Sequence, residues 1–304
     1  MSDGNPHVLL LGHPPVTEFL GYVRTQTVEG RSDEGALMDA WRRGNDHLLA
    51  LAATEAGYAD GIEFGEMPAE LAPLVDRALA DPVMRRDYAL APVSIEWIEL
   101  DRLVVHQKDI NLAYAGELQA ELGTDPSPAR IFEFALPYEK RRDPPVQAGR
   151  IAEGTWIFKS VSNDFRILDA ELLQPAQVTG LDVTGVPSVI VALVVGYGSN
   201  YLSALSVGGR LVLQNGSHRA YALRAAGQTH APCLVQHISR HEELRAIVGD
   251  NHPLTVPGEN ILTVERPPLF KDYFDEQLRM ICTVPASVRQ VQVGFNLNVT
   301  DLPA

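Results

Sequence analysis

Long apolar runs are missing from this chain. No stretch approaches the roughly 20 apolar residues that a membrane-crossing helix needs. Residues 1–6 carry no basic segment of the kind that opens an export signal, so the apolar run at residues 7–12 reads as part of the fold. Cytoplasmic residence is the expectation. Cysteine is scarce as well: Cys233 and Cys282 are the two in 304 residues. Two cysteines build neither a disulfide framework nor a zinc site. Both have apolar neighbours and read as small core side chains. Positive charge is also short. Lys and Arg number 25 against 39 Asp and Glu, a net charge of −14. Such a chain repels nucleic-acid phosphates unless basic residues are concentrated on one face. The runs Arg42-Arg43, Arg85-Arg86 and Lys140-Arg141-Arg142 are short and interleaved with acids, which reads as solvated surface.

What the chain does have is the 45% hydrophobic and 21% charged composition of a globular protein, at a length that allows one large domain or two ordinary ones. Residues 8–12 read as a short strand and residues 16–27 as a helix. Residues 35–57 form a stronger helical pattern, with Leu37, Trp41, Leu48, Leu49 and Ala52 near one face and Gly57 as the stop. Residues 68–81 read as a further helix. The pattern changes after Pro92. Residues 93–100 alternate as a strand, a loop His106-Gln107-Lys108-Asp109 follows, and residues 111–122 have helical spacing. Farther on, residues 131–136 and 155–158 are strand-like. Pro144-Pro145 suggests an exposed loop, residues 169–175 a short helix, and residues 186–195 a buried strand.

The most informative stretch comes next. Residues 201–206 and 210–214 flank Val207-Gly208-Gly209, a hairpin signal. A helix over residues 217–226 is stopped by Gly227, and residues 231–237 read as a closing strand. Helices are expected over residues 239–249 and 269–281, and a last strand over residues 287–299.

Between the hairpin and its helix lies Asn215-Gly216-Ser217-His218-Arg219. Gly216 permits a sharp turn and close approach of a ligand. Asn215 or Ser217 can cap the helix. The first N–H groups of a helix lack internal partners and favour an anion. Arg219 supplies a fork of donors suited to phosphate, and His218 a titratable group. The same residues also suit an ordinary capped helix with a surface arginine.

The stretch from Asn215-Gly-Ser-His-Arg219 through the Ala/Leu-rich helix to Gly227 and Pro232 resembles the signature of the ParB/sulfiredoxin superfamily. Ile98-Glu-Leu-Asp-Arg-Leu-Val-Val-His-Gln107, followed by a helix, resembles the family's first strand and loop. The resemblance spans residues 93–238, with an enlarged middle. It implies an α+β protein with a ParB/sulfiredoxin-like mixed sheet and flanking helices. Residues 1–92 would be a mainly helical N-terminal extension, and residues 239–304 a helix-strand C-terminal one.

The resemblance also implies a bound nucleotide, ATP or another, with magnesium as its companion ion. Gln107, Asn215, Gly216, Ser217, His218 and Arg219 would hold it, and Asp109 and His218 would be the catalytic candidates. Those roles point to an ATP-dependent phosphotransferase or phosphohydrolase acting on a small molecule. The alternative is a non-enzymatic nucleotide sensor or assembly protein with a protein partner. DNA binding or cleavage is disfavoured by charge.

Departures from the signature matter. Ser217 stands where sulfiredoxin carries its catalytic cysteine, which argues against sulfinic acid reduction. Asn215 replaces the family's acid. No basic helix-turn-helix follows. His237 and His241 have metal-ligand spacing but straddle a strand end and a helix start, with no third ligand indicated. Gly196-Tyr197-Gly198-Ser199-Asn200 lacks the lysine of a P-loop. No metal site is expected.

Overall fold

The computed structural model describes residues 4–31, 33–139, 145–162, 165–180, 182–250, 252–256 and 261–301. The basic run Lys140-Arg141-Arg142 and Pro144 lie outside these. The protein is mixed α+β, with eight α-helices and several small sheets among the described residues. No helix among them is long and apolar enough to cross a membrane.

In chain order the elements begin with strand β1 (Gly4–Leu10) and helices α1 (Val16–Gln26), α2 (Glu34–Glu55), α3 (Ala72–Ala80) and α4 (Pro82–Asp87). Strands β2 (Val93–Glu99) and β3 (Asp109–Asn111) follow, then α5 (Leu112–Leu122) and α6 (Pro128–Ala135). Next come β4 (Gln147–Ala152), β5 (Thr155–Ser160), β6 (Phe165–Leu173) and β7 (Ile190–Tyr197). Strands β8 (Ser203–Val207) and β9 (Arg210–Asn215), helix α7 (Ser217–Ala225) and β10 (His230–His237) lie beyond them. Helix α8 (His241–Val248), β11 (Arg279–Pro285) and β12 (Arg289–Gly294) complete the order.

The chain divides into two compact units. The larger combines Met1–Lys140 with Asn200–Ala286, and the smaller combines Arg141–Ser199 with Ser287–Ala304.

Two sheets build the larger unit. One has the order β2-β10-β8-β9, with β10 antiparallel to β2 and parallel to β8. The other has β1 between β11 and β3. The main core joins β2, β8, β9 and β10 to α5, α6 and α7 through Ile98, Leu118, Phe132, Leu213, Leu223 and Leu234, all buried. The hairpin of β8 and β9 turns at Gly208 and Gly209, both with positive φ, as the sequence indicates.

A second constraint is ionic. Arg266 and Asp272 have side chains 1% exposed and make two bonds of 2.7 Å. Glu55 on α2 accepts from the same guanidinium at 3.0 Å. His13 Nε2 lies 2.9 Å from Asp272, and the Leu269 N–H donates to Asp272 at 2.9 Å. Burial alone would raise the Asp272 pKa. The bonds from Arg266 and His13 outweigh it and lower the carboxyl to about 2.

The smaller unit holds a sheet ordered β12-β5-β4 and a ribbon of β6 and β7. Trp156 of β5 meets the Phe295 ring at 5.6 Å, and Ser160 and Tyr197 share a hydroxyl hydrogen bond of 2.7 Å.

Four expectations are corrected. Residues 131–135 belong to helix α6 and Leu136 is its C-cap, so residues 131–136 are not a strand. Ser127 accepts from the Arg130 N–H and Pro128 opens the helix, so the capping chemistry overrides the apparent alternation. Residues 169–175 are largely strand β6, held by an eight-pair antiparallel register with β7 rather than helical. Strand β7 is not buried, because β6 is its one strand neighbour among the described residues and Val191 remains 62% exposed. Residues 269–281 are a short 3-10 turn (Phe270–Phe274) leading to β11, not a long helix. Asp272 turns back onto the Leu269 N–H, and β11 pairs with all seven residues of β1.

Asp272→Ala leaves a buried guanidinium without its main partner. We expect a loss of about 3–5 kcal/mol in urea denaturation at neutral pH. Because the folded-state pKa is depressed, the stability Asp272 contributes is present above about pH 4. It is lost as pH falls toward 2, so the wild type should be weakened across that window.

Candidate functional site

Strand β9 ends at Asn215 and α7 begins at Ser217, so Gly216 makes the whole turn. Its φ is +82°, a conformation that costs an L-residue roughly 1–2 kcal/mol. The turn also leaves no room for a side chain. A Cβ on Gly216 would lie 2.7 Å from the Leu202 Cα and 2.9 Å from the Tyr201 carbonyl oxygen. Glycine is therefore dictated twice, by conformation and by space.

The expected side-chain cap does not form. Gly216 is itself the N-cap, and the Asn215 side chain accepts from the Gly216 N–H at 2.7 Å. The carbonyl of Gly216 accepts the first helical bond, from the Ala220 N–H at 2.8 Å. No N-cap side chain satisfies the leading N–H groups of α7, at Ser217, His218 and Arg219. They form a centre of positive potential.

Arg219 is tied into the fold. Its Nε donates to the Asn200 carbonyl at 3.1 Å, and one terminal nitrogen donates to the Phe134 carbonyl at 2.9 Å. Phe134 lies in the last turn of α6, where carbonyls lack helical partners and attract a cation. The guanidinium also sits 5.3 Å from the Phe134 ring centre. Burial pushes its pKa down. Two of its three nitrogens thus fasten α7 to α6 and to the segment that precedes β8.

His218 is likewise engaged. Its Nε2 accepts from the Asn111 backbone N–H at 3.1 Å, which leaves the ring proton on Nδ1. Its ring meets Tyr114 edge-on at 5.2 Å. Burial lowers its pKa to about 4, against an opposing pull from Asp109 and with a smaller push from His7. His218 is therefore neutral at pH 7.

Asp109 sits on β3, next to β1. It is paired with Nδ1 of His7 and accepts from the Tyr22 hydroxyl. Burial and this carboxylate raise the Tyr22 pKa. Asp109, His7, Tyr22 and His218 thus form one polar group, and Asp109 and His218, separated by 109 positions in sequence, come together. Sequence reasoning missed His7 and Tyr22. Nothing local marks them, because the pairing of β1 with β3 alone brings His7 to Asp109.

Gln107 lies against β9, where its amide donates to the Leu213 carbonyl at 3.1 Å. Its own carbonyl accepts from the Tyr273 hydroxyl at 2.8 Å. The side-chain oxygen of Gln107 is buried with no partner. So are the side-chain oxygen of Gln214 and the hydroxyl of Ser203, which stands opposite Asn215 across the hairpin. Buried polar atoms without partners cost about 1–3 kcal/mol each, and three of them lie on the strands and loop that lead to this turn.

Other polar side chains are engaged elsewhere. Asp101 makes a bidentate pair with Arg224, and Glu99 accepts from Tyr58 at 3.3 Å. His237 bonds Ser94 at 2.8 Å, away from any partnership with His241. No group of three or more metal-ligating side chains occurs among the described residues. Cys233 and Cys282 are free and buried, as their apolar neighbours suggest. No protein-family model, curated protein or solved structure matches this chain.

Gly216→Ala should cost more than about 2 kcal/mol in chemical denaturation, since strain and steric overlap add. For His218 the depressed folded pKa means that the unfolded chain takes up the proton first. Stability falls as pH drops from about 6.5 toward 4. His218→Gln should flatten that part of the stability–pH curve, and the wild-type ring should titrate below pH 5 by NMR.

Proposed function

We propose that this chain binds a nucleotide or phosphometabolite at the N-terminus of α7, in a domain of ParB/sulfiredoxin type. The observation that carries the reading is the Gly216 turn, which presents leading N–H groups that no N-cap side chain satisfies. The phosphate would accept from those groups. The unpartnered oxygens of Gln107 and Gln214 and the hydroxyl of Ser203 suit the donors of a ribose, a base or an ordered water. The succession β8, β9, α7, β10, with β2 antiparallel to β10, supports the fold part of the reading.

Binding is better supported than chemistry. Arg219 has two nitrogens committed to backbone carbonyls, and His218 is neutral with its acceptor nitrogen occupied. Asp109, the candidate acid or base for phosphotransfer, is shared by His7 and Tyr22. A phosphotransferase would have to release one of these before a substrate hydroxyl could hand over its proton. Magnesium would arrive with the nucleotide rather than on a preformed protein cluster. A nucleotide-dependent accessory protein is the reading that leaves these bonds intact.

Thermal unfolding with ATP, ADP, CTP, GTP and inorganic phosphate, each with magnesium, tests the proposal. Saturation at about 100 times the dissociation constant should stabilise the protein by about 2.7 kcal/mol. Ser217→Asp is the informative variant. A carboxylate in the first turn favours the helix, so the fold should persist, yet it repels phosphate and should abolish the shift. No stabilisation by any of these ligands would overturn the proposal. ATP turnover followed in the same samples would separate an enzyme from a sensor.

A further inference from the structure

The β6–β7 ribbon sorts its side chains into two unlike faces. Partners across an antiparallel pair share a face, and neighbours along a strand alternate. Ile167 lies with Val195, Ala170 with Leu193, and Leu172 with Val191, so one face carries no charge over these three pairs. Asp169 and Glu171 fall on the other face, opposite Val194 and Ala192. A bulge between Ile167 and Asp169 makes this so. Regular alternation from Ile167 would place both acids on the apolar side.

This apolar face is open along β6 and at Val191, while Leu193 and Val195 are half-buried. Ile167 is 47% exposed, Leu172 74% and Val191 62%, and Val189 just before β7 is 56% exposed. A two-stranded ribbon is marginal in water on its own and needs further strands or a covering layer.

We propose that the covering layer is the same ribbon of a second copy of this chain, making a self-association arm. Two ribbons laid face to face, about 10 Å apart, form a four-stranded sandwich with a dry interior. The acids Asp169 and Glu171 then lie on its outer surfaces. Self-contact therefore brings no like charges together, even though each chain has a net charge of −14. That charge disfavours an anionic membrane or a nucleic acid as the occupant. At those exposures Ile167, Leu172, Val189 and Val191 leave roughly 400 Å² open per chain, on residue areas of the order of 150–250 Å² each. This is close to the apolar share of the roughly 800 Å² that each partner buries in a stable association.

The test uses the full chain. Sedimentation across the micromolar range should show a concentration-dependent dimer, and Leu172→Glu should weaken it about tenfold or more. Thiol cross-linking with a spacer reagent removes the ambiguity of a destabilised ribbon. Both native cysteines are buried, so Val191→Cys adds an accessible thiol with little change in volume. A thiol-specific bismaleimide of roughly 10 Å span, matched to the spacing of packed sheets, should join it into a covalent dimer, whereas Glu171→Cys on the opposite face should not be joined. A wild type that stays monomeric overturns the proposal, as does a dimer that Leu172→Glu leaves intact. Equal cross-linking from both faces overturns it too. A monomer that co-sediments with neutral phosphatidylcholine vesicles would assign the face to lipid instead.

Discussion

The ion pair between Arg266 and Asp272 is the constraint on which the larger unit depends. It fixes the path of residues 266–272 in the interior, and that path in turn holds the strand-like segment before β3. The Val105 N–H donates to the Pro268 carbonyl, the Phe270 N–H to the Leu103 carbonyl, and the Tyr273 hydroxyl to Gln107. Gln107 then reaches β9 through Leu213. The loop carrying the polar group around Asp109 is thus hung from a charged bond two layers away. Buried ion pairs contribute little net stability compared with an apolar replacement, but they penalise alternative arrangements heavily. Here the penalty falls on any rearrangement that would move this loop.

The residues of the Asn215-to-Arg219 turn serve the fold as much as any ligand. Arg219 closes the end of α6, and His218 receives the Asn111 N–H at the start of α5. Such a turn is a junction of three helices before it is a binding site. Its side chains are accounted for by packing, which is why the uncapped N–H groups, and not the side chains, carry the functional argument.

Local chemistry was legible in the sequence, and distant pairing was not. Gly208 and Gly209 announced the hairpin, Gly216 the turn, and Gly227 the end of α7, because each acts through its own backbone. Helix α6 was misread even though Ser127 and Pro128 mark its start, since Ile131, Phe132 and Phe134 also fit a strand. The segment after Leu269 was misread for another reason. Its partner, β1, lies at the opposite end of the sequence, and the Asp272 contacts that bend it are tertiary. His7 could not have been linked to Asp109 without that same sheet. In the smaller unit, the bulge after Ile167 reverses the faces expected from simple alternation.

The pairing of β1 with β11 has a consequence for how the protein is made. Gly4–Leu10 must wait for Arg279–Pro285 before the sheet has its longest ladder. At the synthesis rates of living cells, about 5–20 residues per second, the first strand spends roughly a quarter of a minute to a minute without its main partner. The central strand β5 waits similarly for β12. Neither unit can be completed before its last strand, ending at Pro285 in the larger and Gly294 in the smaller, has left the ribosome. Val8, Leu9 and Leu10, buried in the finished fold, lack the cover of β11 throughout that interval. The nascent chain therefore carries an open strand edge that the finished protein does not.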